Sequence, residues 1–175
     1  MKREIVKFGA NVLRQKCIPI NEVDDEVRSL VDDLFDSMRA AEGVGLAAPQ
    51  IGVARRACVI DVSAQQPDHP PIVLINPRIV SSEGTQVGEE GCLSFPDLYG
   101  DVKRAERVAV EALDLDGQAF TTEGTGFYAR ALQHELDHLN GVLFVDHLSS
   151  LKRQLMRGAL RRLKKEGEAW QKENS

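Results

Sequence analysis

The chain has little of several things that would fix its class at once. Its 175 residues include 5% aromatics and three cysteines. Cys17, Cys58 and Cys92 are an odd number without framework spacing, which excludes a disulfide-stapled scaffold and makes a reducing cytoplasm the expectation. No apolar run approaches the ~20 residues that cross a bilayer. The opening stretch MKREIVKFGANVL has no unbroken apolar core and is not rich in Arg and Ser, so neither a secretory signal nor a transit peptide is expected. There is no excess of positive charge. A formal net charge of −5 argues against nucleic acid or an anionic membrane as the main partner. The basic cluster Arg161-Arg162-Leu163-Lys164-Lys165 reads as the solvated face of a terminal helix. Repeats, low-complexity tracts and Gly/Ser linkers are also missing, so residues 1–175 are read as one domain, within the usual range of about 100–200 residues.

What is present is ordinary globular material, 42% hydrophobic and 28% charged. From Asp24 to Gly43, Val27, Leu30, Val31, Leu34, Phe35 and Met38 recur at helical spacing, with Asp24 as cap and Gly43 as stop. The runs ACVIDV (57–62) and PIVLINP (71–77) are short, branched and strand-like. Val108, Val110, Leu113 and Leu115 precede Asp116-Gly117, a hairpin signal. The helical period returns between Thr125 and Asn140, and VLFVD reads as a brief strand. A last helix, about 149–166 and capped by Ser149 or Ser150, is followed by a polar tail to 175. This order is not a regular βαβ alternation. It predicts an α+β fold, with largely antiparallel sheets packed around the 125–140 helix and helices near both ends.

That middle helix contains His134-Glu135-Leu136-Asp137-His138. Residues i and i+4 share a helix face, so both imidazoles can reach one ion. Glu135 lies about 100° around from His134, beside the ion, where a carboxylate can move protons to and from water. A catalytic metal usually has three protein ligands and one open position. His147 is one candidate for the third. Cys92, in Glu89-Glu90-Gly91-Cys92-Leu93-Ser94-Phe95-Pro96, is the better one, since thiolate is a strong soft ligand and Leu93-Ser94-Phe95 can run as a strand beside the site. Cys17 and Cys58 read as small buried apolar residues.

The third notable segment is Gly43-Val44-Gly45-Leu46-Ala47-Ala48-Pro49-Gln50. Its small residues allow close backbone approach, and it lacks the Lys-Ser/Thr of a phosphate loop. Gln50 is an uncharged donor suited to an oxyanion hole.

Together, in this order, the three segments resemble the signatures of the peptide deformylases: Gly-x-Gly-x-Ala-Ala-x-Gln, Glu-Gly-Cys-Leu-Ser and Gln-His-Glu-x-Asp-His-Leu, the last standing here as Gln133 to Leu139. The resemblance implies a cytoplasmic bacterial hydrolase that removes the formyl group from the N-terminal methionine of nascent polypeptides, through attack of metal-bound water on the formyl carbon. It implies Cys92, His134 and His138 as ligands of one divalent metal, ferrous iron, with nickel, cobalt or zinc able to substitute. It makes Glu135 the general acid/base and gives Gln50 and the Leu93 backbone N–H to the oxyanion. Gly45 and Val44 would hold the peptide. Basic residues in the last helix leave a transient ribosome contact open. In one respect the chain departs: many relatives carry an arginine shortly after the motif cysteine, and here no basic residue occurs between Cys92 and Lys103. Leu132 and the residues around Phe95 and Tyr99 are expected to line the methionine pocket. Two alternatives remain at this stage. A conventional metallopeptidase would take its third ligand after His138, and a closed structural metal site would need a fourth protein ligand.

Overall fold

The structure, a computed structural model, describes residues 1–175. Helix α1 spans Asp25–Ala40 and begins where Asp24 accepts a hydrogen bond from the Val27 N–H at 3.0 Å. Its end differs from expectation. Glu42, not Gly43, takes the left-handed conformation (φ 57°), and the Gly43 N–H reaches back to the Met38 carbonyl at 2.9 Å.

Strands β1 (Gly45–Ala47), β2 (Ala57–Ile60), β3 (Ile72–Glu83), β6 (Arg107–Leu113) and β7 (Ala119–Thr125) form one sheet in the order β1-β2-β3-β6-β7. Every pairing in it is antiparallel. β4 (Gln86–Cys92) and β5 (Phe95–Arg104) make a separate antiparallel hairpin. Helix α2 (Gly126–Leu139) follows β7 directly.

Side-chain alternation in β2 explains why that strand is apolar throughout. Ala57 and Val59 pack with Val27, Val31 and Leu34 of α1, whereas Cys58 and Ile60 pack with Ala129, Leu132 and Leu136 of α2. The sheet is therefore covered by α1 on one face and α2 on the other. A third apolar cluster joins Val6, Ala10 and Leu13 near the N-terminus to Phe95, Phe144 and Leu163.

Three further expectations are corrected. The 71–77 strand continues to Glu83, past an irregularity in register between Ile75 and Arg78. There Asn76 (φ 51°) exchanges two 2.8 Å side-chain hydrogen bonds with the Ile20 backbone, and Pro77 has no N–H to give. The VLFVD segment is a 3-10 turn over Phe144–His147, not a strand, because Asp146 accepts from the Leu143 N–H at 2.9 Å and curls the chain. The last helix is two, α3 (Ser150–Leu155) and α4 (Arg157–Glu173), and it absorbs most of the polar tail. α4 is fastened at Gly167, where a methyl would collide with the Lys7 and Phe8 carbonyl oxygens, and by Trp170 lying over Gly52.

Candidate metal centre

Cys92 ends β4, and Leu93-Ser94 form the turn into β5 rather than a strand, so the thiol sits at a hairpin tip facing α2. His134 and His138 project one turn apart from α2. One donor atom from each of the three lies within 4.8 Å of the others, and Cys92 Sγ is 3.4 Å from His138 Nε2. The His134 Nδ1 faces Glu90 Oε1 at 2.8 Å. A carboxylate only accepts, so Nδ1 carries a proton, which leaves Nε2 as the nitrogen that can turn to a metal. Burial, with the positive charges of His134 and Arg104, holds His138 well below its ordinary pKa, so it is a neutral imidazole. Burial opposes the charge on His134 as well, but Cys92 and Glu90 outweigh it and raise that group.

Glu135 is 3% exposed, and its Oε2 has no partner in the protein. Burial pushes its carboxyl up to about 7. A thiolate, two imidazole nitrogens and an unpartnered carboxylate oxygen fit a divalent ion with an open position better than they fit one another. His147 is not in this group. Its Nε2 pairs with Asp137 Oδ2 at 2.9 Å, and no fourth protein ligand joins the three.

Gln50, 1% exposed, sits in a 3-10 turn over Ala48–Ile51. The Ala47 N–H donates to its Oε1 at 3.0 Å, which fixes the amide so that Nε2 faces Ser94 Oγ (3.2 Å) and Cys92 Sγ (3.5 Å). Backbone bonds from Val6 N–H to the Gln50 carbonyl (2.8 Å) and from Phe8 N–H to the Ser94 carbonyl (3.1 Å) clamp the two segments to one N-terminal strap. The two glycines have specific neighbours. A methyl on Gly45 would lie 2.9 Å from the Glu135 carboxyl carbon, and one on Gly43 would lie 2.6 Å from Leu93 Cδ1.

Gly43, Gly45, Gln50, Cys92, His134 and Glu135 line a cleft of about 580 Å³ that also includes Val44, Leu93, Phe95, Asp97, Tyr99, Phe127 and Ala131. Leu132 does not line it. It is fully buried between α2 and the sheet, and Phe127 and Ala131 take its expected place. Val44 lines the cleft, though its carbonyl already accepts from the Asp61 N–H at 2.8 Å. Asp97 (φ 61°) stands on the rim in the region where an arginine was missed.

Sequence reasoning missed the support behind His134. Glu90 accepts from Arg104 Nε and Nη2 (both 2.9 Å) and from Arg130 Nη1 (2.6 Å). Burial opposes the Glu90 charge, but Arg104 and His134 hold the carboxyl well below its usual range. Gln133 pins the β5–β6 link to α2 by bonding both the N–H and the carbonyl of Ala105 at 3.0 Å. Glu90, Gln133 and Asp137 lie inside the motifs quoted above and so carried a signal. Arg104 and Arg130 carried none beyond charge.

Fold and site together define a small α+β protein with a candidate three-ligand metal centre set between a helix and a hairpin tip. Residues 2–154 match the family model for polypeptide deformylase. A peptide deformylase of Acidobacterium capsulatum is 50% identical over 168 residues, spanning 96% of this chain and 99% of that protein. The crystal structure of a peptide deformylase from Legionella pneumophila superposes with a TM-score of 0.87 at 47% identity, covering 94% of this chain and 96% of that one. A Synechococcus elongatus peptide deformylase in complex with actinonin gives a TM-score of 0.83 at 40% identity, with 89% and 86% covered. The chain belongs to the peptide deformylase family and is a hydrolase.

Proposed function

We propose that the protein removes the N-formyl group from the N-terminal methionine of newly made polypeptides in the bacterial cytoplasm. Cys92, His134 and His138 would hold one divalent metal, ferrous iron by the family resemblance, with nickel, cobalt or zinc as substitutes. The observation that carries this reading is the convergence of three donor atoms beside a buried carboxylate that has no protein partner.

A metal held by Cys92, His134 and His138 would polarise a water and place a positive charge next to the developing oxyanion. The chain's own groups do the rest. Glu135 takes the proton of the attacking water and passes it to the departing amine, and its raised pKa suits transfer in both directions. The fixed Gln50 amide, with the Leu93 backbone N–H, stabilises the oxygen charge that appears in the transition state. Val44 and Gly45 present backbone to the peptide. Gly43 and Gly45, packed against Leu93 and Glu135, leave room for a carbon bearing only hydrogen.

The test is hydrolysis of formyl-Met-Ala-Ser compared with acetyl-Met-Ala-Ser and casein. Formate release from the first at a kcat/KM at least 100-fold above the acetyl peptide is expected, with casein untouched. Comparable rates on the acetyl peptide or on casein would overturn the reading in favour of a general metallopeptidase.

A further inference from the structure

Beside Asp137 and Gln133, on a different face of α2 from the cleft, lies a second pocket of about 430 Å³ lined also by Lys103, Arg104 and His147. It opens onto an unbroken chain of polar contacts that ends at a proposed metal ligand. His147 Nε2 lies 2.9 Å from Asp137 Oδ2, and Arg104 Nη1 lies 2.6 Å from the same oxygen. Arg104 Nη2 and Nε each lie 2.9 Å from a Glu90 oxygen, and Glu90 Oε1 lies 2.8 Å from His134 Nδ1. Exposure is lowest at the middle of the chain and rises from there toward His147. The side chains of Glu90 and Arg104 are 5% and 4% exposed, Asp137 25% and His147 35%.

We propose that His147 is a positioning residue for His134, acting through Asp137, Arg104 and Glu90. Asp137 as a carboxylate only accepts, so His147 Nε2 must carry a proton. Its 3.4 Å approach to Arg104 Nη1 is then two donors side by side, both directed to Asp137 Oδ2. A guanidinium is a rigid planar fork. When Asp137 fixes the Nη1 corner, the Nε and Nη2 donors are set in register with both oxygens of Glu90. Glu90 in turn fixes the plane and tautomer of His134. Asp137 is the most exposed of the three links between His147 and His134, and its Oδ2 is shared by two donors. His147 holds it from a turn whose residues Phe144 and Val145 are buried in the core. Removing that donor lets Asp137 and then the fork reorient, and the imidazole loses its fixed direction. Groups directly behind metal ligands change metal affinity by about 10–100-fold, and a link further out belongs at the low end.

The inference rests on His134 being a ligand, so the test reads the metal apart from turnover. Wild type, His147→Ala, His147→Gln and Asp137→Asn are loaded with zinc, and release to a chromogenic chelator is timed. The visible spectrum of each cobalt form is recorded, and unfolding of each metal-free form is followed. His147→Ala and Asp137→Asn should release zinc about tenfold faster and shift the cobalt spectrum, while metal-free His147→Ala unfolds at the wild-type temperature. His147→Gln, whose amide donates at a reach similar to Nε2, should restore release and spectrum. With formyl-Met-Ala-Ser, His147→Ala should lower kcat and leave KM unchanged. Release within twofold of wild type in His147→Ala overturns the proposal, whether or not Asp137→Asn differs, and so does a His147→Gln variant as defective as the alanine. Altered release in a protein that never cleaves the formyl peptide would sink the proposed function and leave this positioning role standing.

Discussion

Cys92 and Cys58 show how far surroundings decide what a thiol does. Cys58 is 0% exposed within β2, and burial pushes its thiol well up; Cys17, 2% exposed, is pushed up to about 11. Both should resist iodoacetamide at pH 8, where Cys92, lining the cleft, is modified first. Cys92→Ser should lose most bound metal and activity, and Cys58→Ser should keep its full metal content. Retained stoichiometry in the Cys92 variant would remove it from the ligand set. Glu135→Gln separates proton transfer from ligation. It should bind metal normally and lose about 100–10,000-fold in kcat, because no proton carrier remains. A variant without metal would instead place Glu135 among the ligands. The two histidines were readable because a helix makes i and i+4 neighbours. Arg104 and Arg130 were not, since each looks like a surface charge until β5 and α2 fold around Glu90 and leave both residues 6% exposed.

At the scale of elements, legibility followed how much local sequence decides. α1 and α2 have strong apolar periods and appear close to where they were expected, although Glu42 closes α1 where glycine was the natural choice. The β4–β5 hairpin carries the cysteine and had no comparable pattern. Its residues Gly88, Glu89, Glu90 and Gly91 are held by pairing with residues 99–102 rather than by propensity. The VLFVD run had strand composition but too few residues to distinguish strand from turn, and Asp146 decided it. The terminal helix was underestimated because its last turns are polar, while its fastening is backbone against backbone. That contact gives a direct test. Gly167→Ala would press a methyl into the 7–10 segment, 2.6 Å from the Ala10 nitrogen. Such overpacking costs roughly 1–3 kcal/mol. At roughly 2–4 °C per kcal/mol for a domain of this size, a clear fall in Tm is expected by calorimetry. An unchanged Tm would mean that α4 does not pack there in solution.

Considered whole, the molecule is expected to fold without the proposed metal. The two faces of the sheet and the N-terminal cluster are closed by packing among apolar side chains, with Cys92 packed partly against one of the three clusters. Small metal-nucleated domains behave differently and unfold when stripped. Chelation should therefore leave the far-UV circular dichroism of this protein intact and abolish hydrolysis. It should also lower Tm, since a ligand that binds only the folded state stabilises it by RT ln(1 + [L]/Kd). Reconstitution then distinguishes the metals. Ferrous iron beside a thiolate at an open position exposes both metal and sulfur to oxidation, whereas zinc has no redox chemistry. In air the iron form should lose activity well before the nickel or zinc forms, and mass spectrometry should find the added oxygen on Cys92, with Cys17 and Cys58 protected by the core. Equal half-lives for the iron and nickel forms would show that the thiolate is shielded, or that Cys92 does not bind the metal. Collapse of the circular dichroism on chelation would show that the metal centre, and not the sheet with its two helices, holds this fold together.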